Sequence, residues 1–548
     1  MSLALQCASS HADGGTQAVA DSPPATGQQN PPAASSRDAP AASPQNKPPS
    51  KFDVWEIDVD GNTVLDAETI ERVVSPFVGP DRSFADVDQA RDALETLYRD
   101  RGYKTVSVEI PRQTVRDGVV LLTVTESHVG HLNVVGSQYH SLEQIKTEAP
   151  SLAEGTVPEF KQVQKDIVAL NQQPDSRVTP ALKAGATPGT VDVDLVVDDH
   201  LPVHGNAELN NRRSEDTSEL RASASLSYGN LWQLGHSLSL SYQTAPEKPS
   251  DARVLYLSYL ARFGTSPFNL LINALDSDSN VATFGGTDII GNGRMLGVRG
   301  IYQLPSGNGL YPSITFGVDY KHFKTVTALG SSSFDTPVDY FPFTLGYDVS
   351  SHIDKSTVQS DLTLTFASPR LGSDTQTIQL NRAFARGQML SLRSNVAITE
   401  DLSHDLQSYV RLTGQLTDQP LISNEQISAG GMETVRGYLE AETLGDLGAS
   451  GTLELRSPPL GDYITLGKAN QPVQEFRFFG FADGAILALR NPLPGQDYQY
   501  RLASLGLGFN FKAFNYVNGA FDWADPMITQ SATRAWSSRL LFRVWTSF

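Results

Sequence analysis

The chain offers little that could do covalent chemistry. Its ten histidines are scattered, with no H-E-x-x-H and no spacing that pairs two metal ligands. Its one cysteine, Cys7, allows neither an internal disulfide nor a thiolate metal cluster. There is no G-x-S-x-G elbow and no credible Ser/His/Asp set, so catalysis is not expected. GDYITLGKA only loosely resembles a phosphate loop. Gly461 and Gly467 enclose five residues rather than four, and Ala469 stands where Ser or Thr belongs. It reads as a short turn between strands. No cofactor or metal is implied. What remains is a charge in an unusual place. In GGMETVRGYLEAE, residues 430–442, Arg436 lies between Val435 and Gly437 and is followed by Tyr438. Glycine turns usually carry Asn, Asp or Ser. An arginine there is either an exposed side chain or a charge aimed at one target, and the elements around it decide which.

Those elements belong to a chain of 548 residues, longer than one ordinary soluble domain. With 42 basic and 61 acidic residues its net charge is −19, which disfavours nucleic acid as a partner. No run of about 18 apolar residues appears, so no transmembrane helix is expected. The chain is then either soluble or spans a membrane as a closed β-barrel, the other fold that satisfies its backbone in lipid. Barrel strands alternate apolar and polar residues, so a mean hydropathy of −0.25 is compatible with one. The start, MSLALQCASSHADGG, resembles the tail of a secretory signal, with a small-x-small step ending at Ala12 but no charged beginning. It reads as a truncated signal or a disordered leader. Gln6 before Cys7 is large for a lipidation site. From about residue 13 to 50 the chain is rich in Pro, Ala, Ser and Gln and reads as a linker.

Residues 52 to about 200 read as one supersecondary unit twice over. FDVWEIDVDG alternates as a strand, with Trp55, Ile57 and Val59 on one face. DAETIERVVSPFV is a helix capped by Asp66. SFADVDQARDALETLYRDRGY is a second, with Val87, Ala90, Leu94 and Leu97 on its apolar side and Gly102 as its stop. The strands KTVSVEIP and GVVLLTVTES complete a β-α-α-β-β order. It recurs as GHLNVVGS, SLEQIKTEAPSL, PEFKQVQKDIVALNQQ, SRVTPALKAG and TVDVDLVVDD.

From about His204 the texture changes to period-two strands. In ELRASASLSYGN, Leu220, Ala222, Ala224, Leu226 and Tyr228 alternate with Arg221 and serines, and DLTLTFAS sets Leu362, Leu364 and Phe366 against threonines. A lipid-facing wall around a wet lumen requires this pattern. Sixteen strands of about ten residues would use about half of the zone. The final strand, SSRLLFRVWTSF, places Phe548, Thr546, Val544, Phe542 and Leu540 on one face, like the C-terminal signal of bacterial outer-membrane barrels.

Together these features resemble the outer-membrane transporters of two-partner secretion, the TpsB type of haemolysin secretion/activation proteins (ShlB/FhaC/HecB). The resemblance covers residues 52–548. The second module carries LNQQPDSRVTPALKAGATPGTVDVDLVVDD, close to that family's Asn-x-x-Pro and Gly-x-x-Pro-Gly-Thr pattern, and SYGNLWQLGHSLSLSY is similar to its first barrel strands. VRGY is the most specific motif. The resemblance implies two tandem α+β polypeptide-transport-associated (POTRA-like) modules, 52–128 and 129–203, after a leader and linker (1–51). A 16-stranded antiparallel transmembrane barrel, 204–548, follows. It implies that VRGY (Val435, Arg436, Gly437, Tyr438) lies on a loop folded back into the lumen. Arg436 would then pair with Asp483 of FADGA, where Phe481, Asp483 and Gly484 fit a wall motif and Ala485 replaces a more usual Gly. In a wet lumen such a pair is worth about 1 kcal/mol, or a few if shielded. Charge reversal at Arg436 is expected to impair secretion, and a swap with Asp483 to restore part of it.

The implied protein sits in the bacterial outer membrane with its modules in the periplasm. It recognises, secretes and can activate a haemolysin- or adhesin-like exoprotein (TpsA-like). It touches outer-membrane lipid, and in biogenesis periplasmic chaperones and the barrel assembly machinery. An exposed sheet edge in the modules, with a groove in the second as the favoured site, would take the client as an added strand. A factor that assembles other barrels is the alternative; a passive porin would not need the modules.

Overall fold

A computed structural model describes residues 51–548 except Gln172, Thr265, 280–281, 285–287, 330–331, 462–464 and 467–470. The leader and linker, with Cys7 and Ala12, and most of GDYITLGKA lie outside the described residues. The chain forms two compact units. One holds the modules apart from residues 138–144, and the other holds those residues, Asp199 and the barrel.

The first module contains β1 (Phe52–Val54), β2 (Glu56–Asp60), α1 (Ala67–Val74), β3 (Gly79–Arg82), α2 (Phe84–Arg101), β4 (Val106–Glu109) and β5 (Val119–Glu126). Asp66 caps α1 by accepting from Thr69 N at 2.8 Å. Ser83 and Asp86 form a capping box on α2, and Gly102 ends it with φ +104°. The buried side of α2 carries Val87, Ala90, Leu94 and Tyr98. Tyr98, rather than the expected Leu97, is the fully buried one, and its hydroxyl donates to Asn62 Oδ1 at 2.7 Å. A phenol can enter the core because its polar tip finds a partner there.

FDVWEIDVDG is not a single strand. The chain changes partners at Trp55: β1 pairs antiparallel with β3, and β2 pairs parallel with β5. Trp55 is left 59% exposed while Ile57 and Val59 pack against the core. The sequence Gly-Pro-Asp-Arg of β3 has no strand propensity, so periodicity could not reveal it.

The second module repeats the arrangement with β6 (His128–Val135), α3 (Leu142–Thr147), α4 (Phe160–Leu170), β7 (Ser176–Ala184) and β8 (Thr190–Asp199). In both modules the last strand is central, β2 or β6 flanks it in parallel, and the penultimate strand takes the other side: β2-β5-β4 and β6-β8-β7.

Sixteen antiparallel strands between Val203 and Ser547 close into a barrel. Among the described residues no helix is long and apolar enough to cross a membrane, so the strands are what can. Leu226, Leu240, Leu257, Leu364 and Leu412 point outward and exposed, whereas Arg221, Asn273, Arg299 and Asp483 are buried on the inner side. The expected strand length of about ten residues holds for much of the wall. Three consecutive strands are longer, Leu310–Leu329, Ser332–Ile353 and Ser356–Gly372 at 20, 22 and 17 residues. A bilayer needs only about 9–11 residues per strand, so these hairpins project beyond it. One short helix, Thr375–Asn381, lies in the loop that follows them.

The barrel closes where the last strand, Arg539–Ser547, meets the first, Val203–Asn210. Phe548 exchanges two backbone hydrogen bonds with Gly205, both 3.1 Å, and its ring covers the space where a Gly205 Cβ would sit. Phe542 joins a row of stacked rings, Phe476, Phe509, Phe521 and Phe542, crossing four strands. Val544 stands opposite Leu209 and Gly519.

Replacing Leu94, at 0% exposure, with Ala should cost the first module about 2–5 kcal/mol. In full-length protein the urea midpoint for protease cleavage within residues 52–127 should fall. An unchanged midpoint would show that the α2 face does not carry this core.

Candidate functional site in the barrel lumen

Residues 418–446 connect the strands Gln407–Thr417 and Leu447–Arg456 and turn back into the barrel. The segment holds itself as a ribbon, with Ile427–Ala429 paired to Thr443–Gly445. Gly430 and Gly431, at φ +108° and +104°, let the chain leave that ribbon. Thr434 Oγ1 accepts from Gly430 N at 3.0 Å and closes the tip.

The tip puts Arg436 against the wall. Its Nε donates to Asp483 Oδ2 at 2.8 Å and its Nη2 to Asp483 Oδ1 at 2.9 Å, a bidentate fork. Its backbone N–H donates to Asp483 Oδ2 at 3.0 Å. Nη1 donates to Glu454 Oε1 at 2.8 Å, and Asp522 Oδ1 stands 3.6 Å away. The guanidinium lies 3.5 Å from the centre of the Phe481 ring and 6.0 Å from that of Phe479. Those rings can lie flat because the adjacent strand offers glycines beneath them. A Cβ at Gly506 would sit 2.2 Å from Phe481 Cζ.

The other motif residues fall around this cluster. Gly437 has φ +92°, a backbone conformation that favours glycine, and a Cβ there would make a tight contact, 3.1 Å from Pro526 Cδ. The Tyr438 hydroxyl donates at 2.8 Å to Ile528 O, accepts from Ile528 N at 3.1 Å and lies 3.1 Å from Ala503 O. Val435 and Tyr438 pack with Ile427, Ala429, Leu487 and Leu502. Gly484 differs: a Cβ would meet nothing closer than Leu502 O at 3.8 Å, so local packing does not demand a glycine.

The expectation of a wet ion pair fails. The side chains of Arg436 and Asp483 are 5% and 0% exposed. The pair is dry because the loop body, the Phe479 and Phe481 rings and the wall exclude water together. Glu454 and Asp522 were not anticipated; each is an inward carboxylate on an alternating strand, indistinguishable in sequence from any lumen-facing polar residue. Four further loop anchors were also missed. Glu433 accepts from Arg411 Nη1 at 2.7 Å and faces Arg212 at 3.5 Å. Glu440 accepts from Arg212 Nε at 3.0 Å, Glu425 accepts from Lys321 Nζ at 2.6 Å, and Glu442 accepts from Thr533 N at 2.9 Å. Among the described residues no group of His, Cys, Asp and Glu could hold a metal ion.

A closed barrel of sixteen strands, preceded by small α+β modules and holding a loop anchored to its inner wall, has the architecture of an outer-membrane transporter. Residues 52–127 match the POTRA domain, ShlB-type, and residues 189–511 match the family of haemolysin secretion/activation proteins ShlB/FhaC/HecB. The chain belongs to that family and is an outer-membrane transporter of two-partner secretion, with its POTRA domain in the periplasm. The outer membrane transporter CdiB of Dickeya dadantii is 22% identical over 421 residues, 73% of this chain and 71% of CdiB. The heme/hemopexin transporter protein HuxB of Haemophilus influenzae is 21% identical over 234 residues, 41% of this chain and 40% of HuxB. In fold, CdiB from Escherichia coli superposes with a TM-score of 0.64 at 19% identity, covering 93% of each chain. BamA from Haemophilus ducreyi lacking POTRA domains 1–3 gives 0.55 at 14%, covering 91% of this chain and all of that one.

The cluster of three carboxylates sets an order of damage. Asp483→Asn leaves Glu454 and Asp522 to face the guanidinium. Arg436→Gln leaves buried carboxylates without it, at a cost of about 3–5 kcal/mol. Arg436→Asp adds a fourth carboxylate and should be worst. Amide exchange of residues 427–445 should quicken in that order, and equal effects of Asp483→Asn and Arg436→Asp would show that Glu454 and Asp522 do not act on the arginine.

Proposed function

We propose that this chain captures one large exoprotein on its periplasmic modules and threads it out through the barrel, and that the loop 418–446 closes the lumen between export events. The observation that carries this reading is the buried Arg436–Asp483 fork, which ties a loop tip to the inner wall of a closed barrel. A barrel of sixteen strands encloses an aqueous channel unless something fills it. A loop held by directional, charge-assisted bonds fills it in one position and is released when those bonds are exchanged.

On this reading residues 129–203 are a second POTRA-type module after 52–128, and 204–548 are the barrel. The repeated sheet order supports the pairing of the modules. Each sheet keeps its first strand on an edge, where an unfolded chain can add through backbone hydrogen bonds with little dependence on sequence. The client is an exoprotein of the TpsA kind. Phe548, Phe542 and Val544 serve as the signal for the barrel assembly machinery after periplasmic chaperones deliver the chain. Val435, Gly437 and Tyr438 seat the loop tip, Phe481 supports the guanidinium, and Gly484 continues the wall motif.

Deleting the gene should leave its exoprotein partner in the periplasm while the general outer-membrane protein profile stays as in the parent strain. Normal export of the partner would overturn the assignment. Broad loss of outer-membrane proteins would replace it with a role in barrel assembly.

A further inference from the structure

The base of the lumen loop has a lock of its own. Asp446 is the last residue of the loop before the strand Leu447–Arg456, and it is fully buried. Its Oδ1 accepts from Leu421 N and from Gln426 Nε2, both at 2.8 Å. Its Oδ2 accepts from Arg490 N at 2.7 Å and from Arg382 Nη2 at 3.0 Å. Its backbone N–H donates to Ala488 O at 2.9 Å, and its carbonyl accepts from Gln415 Nε2 at 3.0 Å. One carboxylate therefore joins the inbound stem of the loop to the outbound stem. It also joins both to two other loops at the same end of the barrel.

That end lies opposite Val203 and Phe548, where the chain enters and leaves the wall, so it is the outer mouth. Arg382 follows the short helix in the loop 373–388, and Arg490 lies in the loop 489–498. Arg382 Nη2 donates to Arg490 O at 3.0 Å, tying the two loops, and Arg490 Nη2 donates to Thr417 O at 3.1 Å, at the start of the inbound stem. No residue of this hub takes part in the Arg436 cluster. Four donors saturate the Asp446 carboxylate, so an amide cannot replace it. One oxygen would become an NH2 group facing two of the four donors in either orientation, which is repulsive.

We propose that Asp446 is a positioning residue that holds the outer mouth of the channel shut, a base lock on the lumen loop that works separately from the Arg436 lock at its tip. Breaking the hub frees the two stems and the loops that cap them, while the tip stays fastened. Export then requires two releases, one within the lumen and one at the mouth. The proposal rests on the reading that the loop closes the channel.

Purified full-length protein in planar lipid bilayers tests it, with heat-modifiable migration confirming a folded barrel. Asp446→Asn and Arg382→Gln should each raise the fraction of time spent open by about tenfold or more, as expected from losing a buried charge-assisted hydrogen bond. The double variant should open no more than Asp446→Asn alone, because both changes break one hub. If Asp446→Asn does not assemble, Arg382→Gln decides, since it leaves three of the four bonds to the carboxylate. Asp483→Asn is the control. If it opens the channel while the hub variants behave as wild type, the base lock is wrong. If none of them opens it, the reading of the loop as the closure falls as well. Additive effects of the two hub changes would also overturn a shared lock.

Discussion

A guanidinium kept out of water must find its counter-charges in fixed places, and the lumen is arranged around that demand. Arg436 is enclosed by a bidentate carboxylate, a second carboxylate, a third within 3.6 Å and an aromatic face. Removing such an ion from water costs several kcal/mol, and its attraction to the carboxylates roughly repays this. The net contribution to stability is therefore small. What the cluster supplies is position, because a charge that is cheap in one place is expensive everywhere else along the wall. This asymmetry suits a closure that must hold a defined place and still be moved.

The same physics explains why the wall carries what it carries. Phe479 and Phe481 face inward, where a lumen strand would ordinarily present small polar residues. They exclude water from the fork and offer the guanidinium a ring face. Gly506 and Gly508 on the neighbouring strand make room for them. The outward row of Phe476, Phe509, Phe521 and Phe542 answers a different demand, contact with lipid.

Much of this was legible because it depends on local pattern. Period-two alternation marks a wall with one apolar face, and Leu226 and Leu364 do face outward. Asp66 and Gly102 mark helix ends because orphan backbone groups need those residue types. Arg436 was conspicuous as a charge in a glycine turn, and its pairing with FADGA was legible only through the resemblance to the transporter family. What stayed hidden depends on distance in space. Glu454 and Asp522 stand 18 residues after and 86 residues after Arg436, and neither sequence spacing nor periodicity ties them to it. The strand Gly79–Arg82 exists because β1 needs a partner, not because its residues favour extension. The dryness of the fork comes from the loop folding over it, which no single segment encodes.

Charge polarity gives the loop a register. Between 418 and 446 it carries six acidic residues and one basic residue, Arg436. Arg411 and Lys321 on the wall and Arg212 and Arg382 in neighbouring loops meet Glu433, Glu425, Glu440 and Asp446 in turn. At Arg436 the polarity inverts, and the wall presents Asp483, Glu454 and Asp522. Uniformly acidic contacts in uniformly basic surroundings would tolerate a shifted seating, since one pair could trade for the next. One inverted contact among them removes that freedom, because a shifted seating would set the arginine against basic partners of the glutamates and a glutamate against Asp483. A glutamate brought against Asp483 in the buried fork would cost several kcal/mol, more than a partly exposed pair contributes. The arginine thus specifies where the loop sits chiefly by what it forbids.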